Sequence, residues 1–148
     1  MKPLLNTTLL FLLVMGFSAV VSGQDFEETK RLAEQGLAFA QSNLGFMYDN
    51  GRGVPQNDAE AVRWYRLSAE QGHARAQFNL GLMYANGEGV PQNNLRAYVW
   101  FSVAAAAQGN EDARGNRDIV ADRLTPEQLA RGQDMATRCF ESDYQDCE

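Results

Sequence analysis

Apolar positions recur along this chain at helical spacing, and the pattern is written twice. Ala76, Leu80, Met83 and Tyr84 stand at offsets of four, seven and eight, and Ala40, Leu44, Met47 and Tyr48 repeat them 36 residues earlier. That spacing puts four side chains on one face of an amphipathic helix. A second set, Ala61, Trp64, Tyr65, Ser68 and Ala69, returns as Ala97, Trp100, Phe101, Ala104 and Ala105. Small alanines alternating with large aromatics let facing helices interlock at close range. No segment after Gln24 sustains a period of two, so the expected fold class is all-α. Ala33–Arg66 laid over Ala69–Ser102 gives 21 identities in 34 positions. Self-similarity at this period means stacked helix pairs, each too small to bury its own apolar face.

The punctuation is duplicated as well. Asn50-Gly51-Arg52-Gly53-Val54-Pro55 and Asn86-Gly87-Glu88-Gly89-Val90-Pro91 separate the two helices of each unit. Asn-Gly ends a helix with a left-handed residue, and Val54 and Val90 are expected to tuck back beside the next helix. Asn57 with Glu60 has the spacing of a capping box. Gly45 and Gly81 lie inside the first helices, where glycine costs about 1 kcal/mol relative to alanine. Such a residue, present in both copies, predicts close approach of a neighbouring helix, with its Trp as the expected contact. The loop glycines are not followed by Lys and Ser/Thr at P-loop spacing, which leaves turn chemistry as their role.

The ends of the array differ from its middle. Residues 25–36 read as the second half of a missing unit, 37–72 and 73–109 as two full repeats, and 110–148 as a degenerate capping unit. In the last, Thr125-Pro126 and Gln128 replace the glycine loop with an N-cap, a first-turn proline and a capping-box partner. The helix they start is expected to run to about Cys139 or Phe140, with Ile119, Leu124, Leu129, Met135 and Phe140 to bury. Residues 1–23 have a basic start, an apolar run from Leu4 to Val21 and small residues at Val21-Ser22-Gly23, the plan of a secretory signal peptide. An uncleaved anchor is the alternative.

Charge narrows the partners. One of the 13 basic residues, Lys2, lies in the leader, so the remaining 125 residues hold 12 against 19 acidic ones, a formal −7. An acidic chain whose only lysine past the leader is Lys30 cannot build a basic patch, which argues against nucleic acid and anionic membrane surfaces. Cys139 and Cys147 are the only cysteines. An even count in an exported chain reads as a disulfide, with free thiols as the alternative. In one straight helix eight residues rise about 12 Å, too far for a disulfide, so a bond requires the helix to end between them, at Ser142-Asp143.

The combination of A-x-x-x-L-G-x-x-Y, N-G-x-G-V-P-Q-N, A-x-x-W-[YF] and A-x-Q-G at this step resembles the Sel-1-like repeat family, relatives of the tetratricopeptide repeats. The resemblance covers Asp25 to about Cys139. It implies an α/α solenoid of antiparallel helix pairs whose concave face is lined mainly by the first helix of each unit, and an adaptor that holds protein or peptide partners. On the family's pattern the groove-facing positions are Ser42, Phe46 and Asp49, then Arg75, Phe78, Leu82 and Asn86. Phe46, Phe78 and Leu82 lie off the main apolar face, and packing between consecutive first helices is the alternative for each. Cysteine-rich members carry cysteines with seven residues between them, the spacing of Cys139 and Cys147. Here there is one pair rather than one per repeat.

Some of those members are described as penicillin-binding or β-lactamase-like. A Ser-x-x-Lys nucleophile is impossible after the leader, because Glu27 stands three residues before Lys30. G-x-S-x-G and H-E-x-x-H are also missing from the sequence, and His73, the one histidine, sits at an inter-helix turn where a surface role is expected. No catalytic residue, metal site or cofactor is expected. Two functions from different classes remain, an exported periplasmic scaffold and a secreted factor acting on a host or neighbouring cell, with a hydrolase a distant third.

Overall fold

The computed structural model describes residues 25–107 and 110–148. The leader expectation for residues 1–23 lies outside them. All regular structure among the described residues is helical. Helix α1 covers 25–34. It is followed by α2 (Ala38–Asn50), α3 (Asp58–Ala69), α4 (Ala74–Asn86), α5 (Asn94–Ala105), α6 (Glu111–Ala121) and α7 (Pro126–Glu141). Consecutive helices pack in pairs, α2 on α3 and α4 on α5, while α5 also carries α6 and α7. The chain is an α/α solenoid of repeated units.

Identical letters make identical joints. Asn57 N–H donates to the Tyr48 carbonyl and Asn93 N–H to the Tyr84 carbonyl, both at 2.9 Å, so each glycine loop closes back on the helix it leaves. Gly51 and Gly87 cap α2 and α4 at φ 63° and 73°. The asparagine side chains then cap the next helices, accepting from Glu60 N at 3.1 Å and Arg96 N at 3.0 Å. The capping box expected at Asn57 is only half formed, because the Glu60 carboxylate pairs with Arg63 instead. At Thr125 both halves of the box are present. Buried Gln41 and Gln77 donate to the carbonyls of Ala33 and Ala69, eight residues back, and pin each unit to the preceding turn.

The two internal glycines mark close approach, with one correction. A Cβ on Gly45 would lie 2.7 Å from the Tyr65 ring, and one on Gly81 would lie 2.7 Å from the Phe101 ring. The aromatic that fills the gap is thus the residue after the tryptophan. One residue turns a helix by about 100°, so Tyr65 faces α2 while Trp64 packs with Ala33, Ala40 and Leu44 in the cluster between α1, α2 and α3. The main core runs from α3 to Cys147 and contains Tyr65, Leu80, Tyr84, Trp100 and Phe101.

In the capping unit the buried set differs from the expected one. Val120, Met135, Ala136 and Cys139 are buried, Leu124 and Leu129 are half-buried, and Ile119 and Phe140 are exposed. Helix α7 ends at Ser142, after which Asp143 and Tyr144 adopt left-handed φ of 53° and 66°. Tyr144 N–H donates to the Cys139 carbonyl at 2.8 Å. This reversal brings Cys147 to Cys139 as a disulfide with Cα atoms 4.4 Å apart. The segment then lies on the second repeat's entry turn, with Tyr144 against Gly72 and Gln145 donating to the Glu70 carbonyl at 2.9 Å.

His73 is the N-cap of α4. Its Nδ1 accepts from Ala76 N–H at 3.3 Å, a bond that only the neutral ring can make. Burial first, and Arg75 second, hold its pKa below the ordinary histidine value. A depressed folded pKa means stability that is complete above the unfolded value, about 6.5, and is lost as pH falls through the folded one. Acidification should therefore weaken this cap and lower stability. Asp49 and Glu70, whose pKa values are raised by burial, contribute with the opposite sign. The measurement is thus the difference between wild type and His73→Asn across that window. His73→Asn should flatten the histidine step, and an unchanged step would show that the cap does not govern it.

Candidate functional site

An open cleft of about 400 Å³ is walled by Asp25, Glu28 and Thr29 of α1, Asn43, Phe46 and Met47 of α2, Arg52 of the glycine loop and Arg75 of α4. Its centre is the half-buried Phe46 ring. The Arg75 guanidinium lies 5.2 Å from the ring centroid and that of Arg52 lies 5.7 Å away. Both distances are within reach of attraction between a cation and an aromatic face. Local structure sets up the stack: Gly51 reverses the chain so that Arg52 returns towards Phe46, and Arg75 projects from the first turn of α4. Glu28 on the opposite wall is engaged by Arg31 at 2.6 Å, and that hydrogen bond, then the arginine's charge, lowers its pKa. Among the described residues neither Arg52 nor Arg75 forms an ion pair. Both side chains are exposed, and a guanidinium placed beside an aromatic face can still donate to an anionic ligand.

The seven groove positions read from the repeat pattern divide. Phe46 and Arg75 come together in the cleft. Asp49, half-buried, accepts from the Tyr65 hydroxyl at 3.2 Å. Burial raises its pKa against the pull of that hydrogen bond, and Asp58 and Glu88 add to the rise. Burial and the Asp49 carboxylate in turn push the Tyr65 phenol well above its usual value. Phe78 stacks 5.8 Å from Phe101 and touches two core clusters, and Leu82 packs on the larger of them. Asn86 is exposed at the end of α4 and donates to Glu88 at 3.3 Å. Ser42 is 2% exposed and therefore lies off the accessible surface, not on an open groove.

Asn43, Met47, Arg52 and the α1 residues were not among those positions. A signal for Arg52 exists in the sequence. It is a charge reversal within an otherwise duplicated loop, since the aligned residue is Glu88. The α1 wall was not among those positions because residues 25–36 correspond to the second helix of a unit, whereas the repeat pattern assigns the groove to first helices.

The Sel1 repeat family model matches residues 38–73 and 74–109. No curated protein matches the chain significantly. In fold the chain is similar to c5321, a protective antigen present in uropathogenic Escherichia coli strains displaying an SLR fold. The two are 32% identical with a TM-score of 0.77, over 80% of this chain and 26% of that one. It is also similar to a Sel1 repeat protein from Oxalobacter formigenes, with 39% identity and a TM-score of 0.60 over 64% of this chain and 37% of that one. The chain spans less than half the length of either structure. With two matched Sel1 repeats, their duplicated glycine loops and the helix-pair architecture, the chain is a Sel-1-like repeat protein.

Proposed function

We propose that the chain is an exported, non-catalytic scaffold that presents the Phe46–Arg75 cleft to an acidic segment of a protein partner. Sel1 repeats generally mediate protein–protein interaction, and proteins built of them are typically non-catalytic. The observation that carries the reading is the pair of arginines stacked on Phe46 in an open cleft. In this reading Phe46 and Arg75 make the contact, while Phe78 and Leu82 pack between units. The Cys139–Cys147 disulfide supports an oxidising destination. The likeness to c5321, a protective antigen, favours a second reading, a released factor acting on another cell. Periplasmic retention on fractionation would support the scaffold, and release into the medium the factor.

Capture from the exported fraction tests the cleft directly. Arg75→Glu and Arg52→Glu change exposed side chains and should leave stability within about 0.5 kcal/mol. Each should weaken capture about tenfold or more, since a charge-assisted hydrogen bond contributes about 1.5–3 kcal/mol. Arg131→Glu on the exposed face of α7 is the control. Equal capture by all four proteins would overturn the assignment.

A further inference from the structure

A second polar cluster lies on residues that the cleft does not use. Arg66 of α3, Tyr84 of α4 and Arg96 of α5 converge on the side chain of Glu148. Arg66 Nε donates to Glu148 Oε1 at 3.1 Å, the Tyr84 hydroxyl donates to the same oxygen at 2.7 Å, and Arg96 Nη1 stands 3.6 Å from Oε2. Arg66 Nη2 also donates to the Tyr84 hydroxyl at 2.6 Å, and the Arg96 guanidinium lies 5.6 Å from the Tyr84 ring centroid. Three helices from two units are thus organised around one carboxylate. Burial works against the charge on Arg66, but Glu148 and Tyr84 outweigh it and leave its pKa above the usual value.

The repeat shows which parts of this cluster are special. Tyr84 has its counterpart in Tyr48, so it belongs to the shared plan. Arg66 aligns with Ser102 and Arg96 with Glu60, so neither arginine is a repeat letter. Both occur only where Glu148 docks. Anchoring the segment does not require them, because the disulfide already fixes Cys147, one residue away. The cluster is also reachable: Arg66, Arg96 and Glu148 keep 35%, 39% and 27% of their side-chain surface exposed. Cys139 and Cys147, by contrast, are buried. A carboxylate can therefore leave or enter at the arginines without opening the clasp.

We propose that Arg66, Tyr84 and Arg96 form a receptor for the carboxylate of an acidic segment on a protein partner, and that Glu148 is a tethered stand-in holding it closed. A short tether presents its own carboxylate at an effective concentration on the order of millimolar. A partner's segment binds only to the fraction of molecules in which that carboxylate has swung away.

The test is fluorescence anisotropy on the full, oxidised chain. The probe is a labelled, C-terminally amidated peptide with the sequence of residues 143–148 carrying Cys147→Ser. Glu148→Gln should bind it about tenfold more tightly than wild type, and Arg96→Gln placed on the Glu148→Gln background should abolish the gain. A probe with glutamine at its last position should bind neither protein, which separates carboxylate recognition from contacts of the rest of the peptide. Helicity and melting of each variant, together with an Arg131→Gln control on the same background, keep a loss of binding distinct from a loss of fold. Equal affinity of wild type and Glu148→Gln for the acidic probe would overturn the proposal, as would a gain that survives Arg96→Gln in the folded protein. No residue of the Phe46–Arg75 cleft enters this test, so it stands or fails separately from the scaffold reading.

Discussion

Gly81→Val is expected to cost about 3 kcal/mol of stability, at the upper end of ordinary overpacking. Even a single methyl at Gly81 would meet the Phe101 ring at 2.7 Å. That ring is 0% exposed and is wedged in the main core, so it has nowhere to go. Valine adds two further carbons to the collision. Against this, replacing a helical glycine recovers less than about 1 kcal/mol of helix propensity, so the steric term wins. For a domain of this size the change should lower Tm by about 10 °C, readable by circular dichroism. Gly115→Ala is the matched control, because a Cβ there meets nothing within 4 Å. It should stabilise by about 0.5–1 kcal/mol through propensity alone. If Gly81→Val melted with the wild type, the close approach of α4 and α5 would not be what this glycine serves.

Loss of the clasp should be nearly as costly. The closed loop runs from Cys139 to Cys147, a sequence separation of 8, and the chain-entropy relation gives about 2.5 kcal/mol for a ring of this size. Cys139→Ala with Cys147→Ala should lose about that much. Its effect should be local before it is global, because the bond also holds the left-handed Asp143-Tyr144 reversal, the Tyr144 contact on Gly72 and the Glu148 contacts. Limited proteolysis should then cut within α7 or the segment after it before either full repeat. That unit buries few large side chains, Val120 and Met135 beside small Ala113, Gly132, Ala136 and the cysteines, and leaves Ile119 and Phe140 exposed. A double variant with unchanged melting and unchanged cleavage order would show that the disulfide adds nothing to a cap already held by packing.

What the sequence determined by itself was whatever the repeat wrote twice. Helix boundaries, the Asn-Gly stops, the asparagine caps and the alanine–aromatic face are set by neighbours within a few residues, and duplication separates those letters from incidental ones. Close approach at Gly45 and Gly81 was legible for the same reason, since a costly residue appeared at the same register in both copies. Which ring fills each gap was not, because a helix rotates about 100° per residue and only the crossing of the two helices decides between Trp100 and Phe101. Burial of Ser42 rather than Phe46 was likewise a matter of how consecutive units are rotated on one another. The Arg52–Phe46–Arg75 stack joins a loop and two helices, and the Arg66–Tyr84–Arg96 cluster meets Glu148 across 82 and 64 residues of chain. Neither has any local spacing to read. The arginines of both stand at positions where the copies differ, and a difference between copies acquires meaning only when the fold places it beside another residue.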